Sequence, residues 1–364
     1  MSKIKIAFIH NNCKDFRYPV FKKLQENEKF EVDFFLLDKP VQDLNNCVVL
    51  DSIRIPLMQD FVIPIGLYSN LKKKQYDFVI STDLGYVITY VGFLYSRLKG
   101  CKFVLWNEQW TNVHHPRRYL TRFIERLITK HSHKILAFGR KHGKFVCSLG
   151  AKPESIIYAP NAVPYENVIP EQEDYIQFSG DEKYILCLAR LLKIKGHESL
   201  IRAFSSVVIK YPNYRLIIAG EGKEYAKLYN LVEELNLKKF VHMPNTLVTN
   251  EQKFKLMQRA SIFVLPSIQT RVTEAWGLVV NEAAINKKPI IVSSATGAAD
   301  ELIEDMKSGL VFKQNNHLDL ADKINYMIEN DEFANEMGAA AFSKIESYYN
   351  IRKLTEKLES CFYE

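Results

Sequence analysis

Two glutamates, Glu274 and Glu282, stand eight positions apart in TEAWGLVVNEAA, with Trp276 and Gly277 between them. On one continuous helix their carboxylates would sit about 80° apart around the axis and about 12 Å apart along it, too far to act as a pair. Gly277, followed by Leu278, Val279 and Val280, is instead an expected helix entrance. Glu274 then lies on the loop before the helix and Glu282 about one turn inside it. A helix start offers unbonded backbone N–H groups and the positive end of the peptide dipole, so a phosphate fits there, between carboxylates suited to sugar hydroxyls. An amphipathic helix carrying two solvated glutamates is the plainer alternative, and the stretch alone does not choose between them.

A second candidate lies upstream, in ILCLARLLKIKGHESLIRAF. Arg190 falls at the carboxyl end of an expected strand and Lys195 in the loop before Gly196 and the next helix, so both can reach one crevice. A guanidinium fork and a compact ammonium suit a diphosphate, and they stabilise the charge that develops on a departing phosphate. Either cation alone also reads as an ordinary surface group. Gly220 and Gly222, in LIIAGEG, mark a further tight turn after a strand and say little more.

Short apolar runs alternate with helix-length amphipathic segments throughout the chain. Expected strands cover 4–9, 32–37, 78–81, 103–106, 135–138 and 156–158 in the first half, and 184–189, 215–219, 240–243, 262–265, 289–292 and 310–312 in the second. Helices are expected at 19–25, 85–98, 116–130 and 141–148, then at 197–210, 223–236, 250–259, 278–286 and 317–330. That rhythm means βαβ units and largely parallel sheets. The chain of 364 residues is long enough for two domains. The segment APNAVPYENVIPEQED, with three prolines and no apolar periodicity, is the expected linker. The expected division is 1–170, 171–345 and a C-terminal helix over 346–364 that crosses back to the first domain. Parallel sheets bind ligands beyond the carboxyl ends of their strands, so the site is expected in a cleft between the domains.

The charge is uneven. Residues 1–170 carry 25 Lys+Arg against 15 Asp+Glu, whereas the rest of the chain carries 24 against 27. Between 117 and 144, nine cations (117, 118, 122, 126, 130, 134, 140, 141 and 144) face the single acid Glu125. A basic run beside Tyr119, Leu120, Phe123 and Leu127 suits anionic lipid headgroups or a phosphorylated acceptor, and it also reads as a solvated face. No nucleic-acid recognition motif accompanies it. The six cysteines show no CxxC or metal-ligand spacing, and are expected to be reduced packing residues of a cytoplasmic protein. The start, MSKIKIAFIH, leads into a strand rather than a signal peptide, and no apolar stretch is long enough to span a bilayer.

LARLLKIKGHESLIRAF, YRLIIAGEG, ASIFVLPS and TEAWGLVVNEAA with KKPIIVSSATGAADEL follow one another in an order and spacing that resembles the nucleotide-sugar domain of retaining glycosyltransferases of family 4, glycosyl transferases group 1. The likeness covers about residues 183–312 and is looser before 170. It implies an α/β chain of the GT-B fold, two Rossmann-like parallel-sheet domains facing across a cleft. It implies that Arg190 and Lys195 bind the donor diphosphate and that the amides of Gly277, Leu278 and Val279 meet the distal phosphate. Glu282 would take the nucleotide ribose, and Glu274 would lie against the donor sugar near the reacting carbon. The catalytic set is then Glu274, Arg190 and Lys195.

Two departures from the family pattern stand out. The usual glycine-rich loop after the first strand reads HNNCKDFRYPVF here, so Asn11, Asn12 or Arg17 is left to contact donor or acceptor. The usual histidine after a middle strand is replaced within FVLWNEQWTNVHH, where Asn107 or Glu108 occupies the position near the transferred sugar and His114 and His115 come too late to be assigned. Trp106 and Trp110 are expected to pack along the cleft.

No Asp-x-Asp occurs, so no metal is expected, and no cofactor beyond the donor, a nucleoside diphosphate sugar with UDP slightly preferred over GDP. The expected activity is sugar transfer with retention to a hydroxyl of a glycan or lipid-linked glycan precursor. The protein would be cytoplasmic and peripheral on an anionic membrane surface through the 117–144 segment. A nucleotide-sugar epimerase of the same architecture and a catalytically silent glycan-binding subunit are the rival readings.

Overall fold

Along the first strand, β1 (Ile4–His10), Ile6 and Phe8 enter one apolar cluster while Ala7 and Ile9 enter another. The two-residue period puts alternate side chains on opposite faces, so this sheet is buried on both sides, as parallel sheets are. The computed structural model describes residues 2–54, 62–112, 116–164 and 182–363. These divide into one unit formed by Met1–Pro164 with Asn350–Glu364 and a second formed by Tyr165–Tyr349.

After β1 the first unit continues with α1 (Tyr18–Glu26), β2 (Phe30–Leu36), β3 (Cys47–Val49), β4 (Ser52–Arg54), β5 (Val62–Pro64), α2 (Leu67–Leu71), β6 (Phe78–Thr82) and α3 (Val87–Lys99). Then come β7 (Lys102–Asn107), α4 (Pro116–His131), β8 (Lys134–Ala137), α5 (Arg140–Ser148) and β9 (Ile156–Tyr158). Its seven-stranded sheet runs β3-β2-β1-β6-β7-β8-β9, every neighbouring pair parallel. β4 and β5 form a separate antiparallel pair. One face of the sheet is covered by Leu67 and Leu71 of α2, Ile88 and Phe93 of α3, Ile128 of α4 and Phe145 of α5.

The second unit comprises β10 (Lys183–Leu188), α6 (His197–Lys210), β11 (Tyr214–Ala219), α7 (Tyr225–Glu234), β12 (Val241–His242), α8 (Asn250–Arg259), β13 (Ile262–Leu265), α9 (Val279–Ile285), β14 (Ile290–Ser293), β15 (Leu310–Phe312), α10 (His317–Glu329) and α11 (Asp331–Ser347). Its sheet is also wholly parallel, in the order β12-β11-β10-β13-β14-β15. The last helix, α12 (Ile351–Ser360), belongs to the first unit. Leu354, Leu358, Cys361 and Phe362 close the other face of the first sheet beside Val20, Phe21 and Leu24 of α1, and the Phe362 ring meets Phe30 and Phe78 at 5.5 and 5.2 Å. Asn27 donates to the Glu359 carboxylate at 3.0 Å on the same seam.

Several elements depart from the sequence-based expectation. The segment 47–71, to which no expected element was assigned, holds β3, β4, β5 and α2; three-residue strands are too short to display an alternation. α11 was not expected either. It is buried through Ala334, Met337, Gly338, Ala341 and Ile345, and small residues write a weak amphipathic signal. Trp106, expected to line a cleft, is fully enclosed in the first unit's core. None of the six cysteines is in a disulfide. His114, His115 and most of the expected linker lie outside the described residues.

Candidate active site

In the second unit three loops at the carboxyl ends of β10, β13 and β14 press together. The chain leaves β10 through Ala189 and Arg190, makes a short 3-10 turn over Lys193–Lys195 and enters α6 at Gly196. Gly196 has φ +67°, and a Cβ there would stand 1.9 Å from the carbonyl oxygen of Pro266, just after β13. Only glycine permits that approach. It brings Lys195 against the loop that carries Glu274, and the two form an ion pair with each side chain 14% exposed. Ser267 donates its hydroxyl to the same Glu274 oxygen, Oε2, at 3.1 Å. Ser293, at the end of β14 and fully buried, in turn donates to the Ser267 carbonyl. Glu274 also makes an isolated parallel bridge with Thr296.

Gly277 is the second tight point, with φ +86° and Leu265 Cδ2 only 2.6 Å from where a Cβ would stand. The helix that follows, α9, starts at Val279 with no side-chain cap. Among the described residues, the backbone N–H groups of Gly277, Leu278 and Val279 have no hydrogen-bond acceptor. The expected entrance is therefore present, with Glu274 on the preceding loop and Glu282 in the first turn. Glu282 has its own cation: Lys253 of α8 lies 2.6 Å from its Oε1. The two glutamates are thus held by different lysines.

Arg190 lies on the same loop as Lys195 and is exposed, with no side-chain ion pair or hydrogen bond among the described residues. His197, in the first turn of α6, is enclosed, and burial followed by the nearby Lys195 charge pushes its pKa down to about 3. It is neutral at any ordinary pH. Lys195, Glu274 and the Gly277–Val279 amides are brought together; Ser267, Ser293, Thr296 and Lys253 join them, and none of these four was visible in advance. A serine or threonine in a βα loop carries no periodic or spacing signal.

The first unit holds a separate polar cluster at the ends of β1, β6 and β7. Glu108 Oε1 accepts the Trp106 indole N–H at 2.8 Å and pairs with the Arg17 guanidinium. Its backbone N–H donates to Asp83 at 2.6 Å. Arg17, one of three residues expected to contact donor or acceptor, is enclosed at 3% exposure, with its guanidinium carbon 4.8 Å from the centre of the Trp106 ring. Burial pushes its pKa down to about 9 against the raising effect of Asp83, so it stays charged at neutral pH. Asn107 is fully buried and its amide donates to the Gln109 carbonyl at 2.6 Å, so of the two neighbours it is Glu108, 22% exposed, that offers polar atoms to solvent.

The model of the family described as glycosyl transferases group 1 matches residues 168–344. The second unit, which holds all of the matched residues, is similar to a glycosyl transferases group 1 domain. Over 184 residues the chain is 29% identical to a poly(ribitol-phosphate) alpha-N-acetylglucosaminyltransferase of Staphylococcus aureus, covering 50% of this chain and 35% of that protein. Over 148 residues it is 32% identical to an alpha-monoglucosyldiacylglycerol synthase of Acholeplasma laidlawii, covering 40% and 35%. The chain thus spans about a third of the length of these curated relatives. The crystal structure of Anabaena HepE in complex with UDP superposes with a TM-score of 0.75 at 16% identity, over 98% of this chain and 99% of that one. At that identity the likeness is one of fold, and the fold is GT-B: two Rossmann-like parallel-sheet domains.

Proposed function

We propose that this protein is a retaining, metal-independent glycosyltransferase that moves a sugar from a nucleoside diphosphate sugar to a hydroxyl of a glycan or lipid-linked glycan precursor. The observation that carries the proposal is the meeting of Lys195, Glu274 and the unbonded amides of Gly277, Leu278 and Val279 within the stretch that the glycosyl transferases group 1 model matches. In this reading Lys195 and exposed Arg190 neutralise the diphosphate and the amides receive its distal phosphate. Glu282 takes the ribose. Glu274, freed from Lys195 as the phosphates claim that ammonium, turns to the sugar hydroxyls near the reacting carbon. The bond from that carbon to the phosphate oxygen breaks while the acceptor oxygen bonds on the same face, and the departing phosphate takes the acceptor's proton. Charge stabilisation of that phosphate by Lys195 and Arg190 lowers the barrier.

UDP is the preferred nucleotide of this reading. The relatives named for transfer to a poly(ribitol-phosphate) and for synthesis of a glycosyldiacylglycerol support an anionic or lipid-linked acceptor. The basic first unit is assigned to it, with the protein peripheral on an anionic membrane surface through the 117–144 segment. No described helix is long and apolar enough to cross a membrane.

The test is a thermal-shift screen against nucleoside diphosphates and their sugars, since a ligand that binds only the folded form raises its melting temperature. Lys195→Met and Glu282→Ala should each weaken donor binding by about tenfold, the worth of one charge-assisted hydrogen bond. Glu274→Ala should lower turnover more than binding. A chain indifferent to every nucleotide, or three variants as active as the parent, would reject the proposal. Formation of the inverted anomer would reject retention alone.

A further inference from the structure

Most exposed apolar side chains on a protein are scattered singly and need no explanation. On the first unit they are organised. Leu94 and Leu98 on α3 are 53% and 62% exposed, and Tyr119, Phe123 and Leu127 on α4 are 70%, 73% and 39% exposed. Each set is spaced by four residues and so forms a stripe along its helix. The two helices cover the same face of the sheet and pack against each other, and α3 also packs against β5, next to which Ile65 is 50% exposed.

The charges of this surface have one sign. α3 has no acidic residue, and the sole acid of α4, Glu125, is fully buried. Arg97 and Lys99 are exposed at the end of α3, and Arg126 and Lys130 along α4. At 100° per residue, Arg126 and Lys130 project beside the Tyr119–Phe123 stripe rather than opposite it. Apolar residues flanked by cations, with no exposed carboxylate between them, match the boundary between acyl chains and anionic headgroups. The same surface does not suit a second copy of itself, because a two-fold contact would bring the four cations of each chain against those of the other.

We infer that the outer face of α3 and α4 docks on an anionic lipid bilayer, with Phe123, Tyr119 and Leu98 entering the acyl boundary while Arg97, Arg126 and Lys130 pair with headgroup phosphates. This deepens the peripheral-membrane part of the function proposed above: it names the face and requires insertion as well as charge.

The test uses the full chain and sedimentation with vesicles of phosphatidylcholine alone or phosphatidylcholine mixed with phosphatidylglycerol. The parent should bind the mixed vesicles at least about tenfold more tightly, with salt weakening but not abolishing the binding. Phe123→Ser with Leu98→Ser, and separately Arg126→Glu with Lys130→Glu, should each lower that affinity by about tenfold or more. Phe123→Trp should shift its emission to the blue on the mixed vesicles. Equal affinity for both vesicles, or a Phe123→Ser/Leu98→Ser protein that binds like the parent, would overturn the inference. A lipid-free dimer dispersed by that double substitution would also overturn it, in favour of a second copy. Thermal-shift responses to nucleoside diphosphates, expected unchanged in these variants, report the fold and the donor site separately. Vesicle binding without any nucleotide response would leave the docking face standing and remove the transfer reading.

Discussion

Arg17 shows what residue type and spacing can and cannot reveal. In the sequence it is a cation after a first strand, and so a candidate ligand contact. In the structure it is enclosed beneath Glu108, against the Trp106 ring and Phe138. Of this pair only the guanidinium is enclosed, so it is loss of the partly exposed carboxylate that strands its partner. Glu108→Gln should therefore cost about 3 kcal/mol of unfolding free energy, and Glu108→Gln with Arg17→Met should recover part of the loss. Urea titration reads both, and a single variant as stable as the parent would show that the guanidinium does not need the carboxylate. Lys195, Glu274 and Gly277 were legible because an ammonium, a carboxylate and a glycine at a strand–helix junction carry their chemistry in their identities. Lys253 was not, because only the folded chain brings it, from 29 positions away, to Glu282.

At the scale of elements, the site depends on loops that touch through backbone rather than through side chains. Gly196→Ala would place a methyl 1.9 Å from the Pro266 carbonyl oxygen, at a φ of +67° that alanine resists. The loop carrying Lys195 must then withdraw from the β13 loop. The expected loss is about 2 kcal/mol or more of stability together with most of the donor affinity. Calorimetry of nucleotide binding checks this, and an alanine variant with parental affinity would mean that the close approach is dispensable. Long helices and fully buried strands were readable because periodic burial repeats over many residues. The strands β3, β4 and β5 were not, because three residues hold a strand only when a neighbour supplies the ladder. α11 was missed because its contact with the α9–β14 turn needs small side chains: a Cβ on Gly338 would stand 2.4 Å from the Lys287 carbonyl oxygen.

For the whole molecule, each unit encloses a neutral histidine, His10 in the first and His197 in the second, and burial first, then Arg17 or Lys195, pushes each pKa down to about 3. The unfolded chain takes up these protons below about pH 6.5 and the folded chain does not, so their contribution is whole above that pH and drains away as pH falls toward 3. Lowering the pH from 7.5 to 5 should cost each unit about 2 kcal/mol. Urea midpoints at the two pH values measure the loss, which His197→Gln should flatten for the second unit; equal midpoints in the parent would contradict it. The same division into units makes the end of the chain indispensable to its beginning. Ending the chain at Tyr349 removes Leu354, Leu358 and Phe362 from the first unit's core, about 6 kcal/mol of apolar burial and a large part of a domain's stability. Hydrogen exchange should then show the first unit open and the second still protected, and a protected first unit would mean that α12 is dispensable.

That connectivity reverses the order of assembly during synthesis. The second unit is one continuous stretch and can close as soon as it leaves the ribosome. The segment made before it waits with one side of its sheet covered only in part, by α1, until residues 351–362 emerge, and for that interval it is the part most exposed to chaperones and proteases.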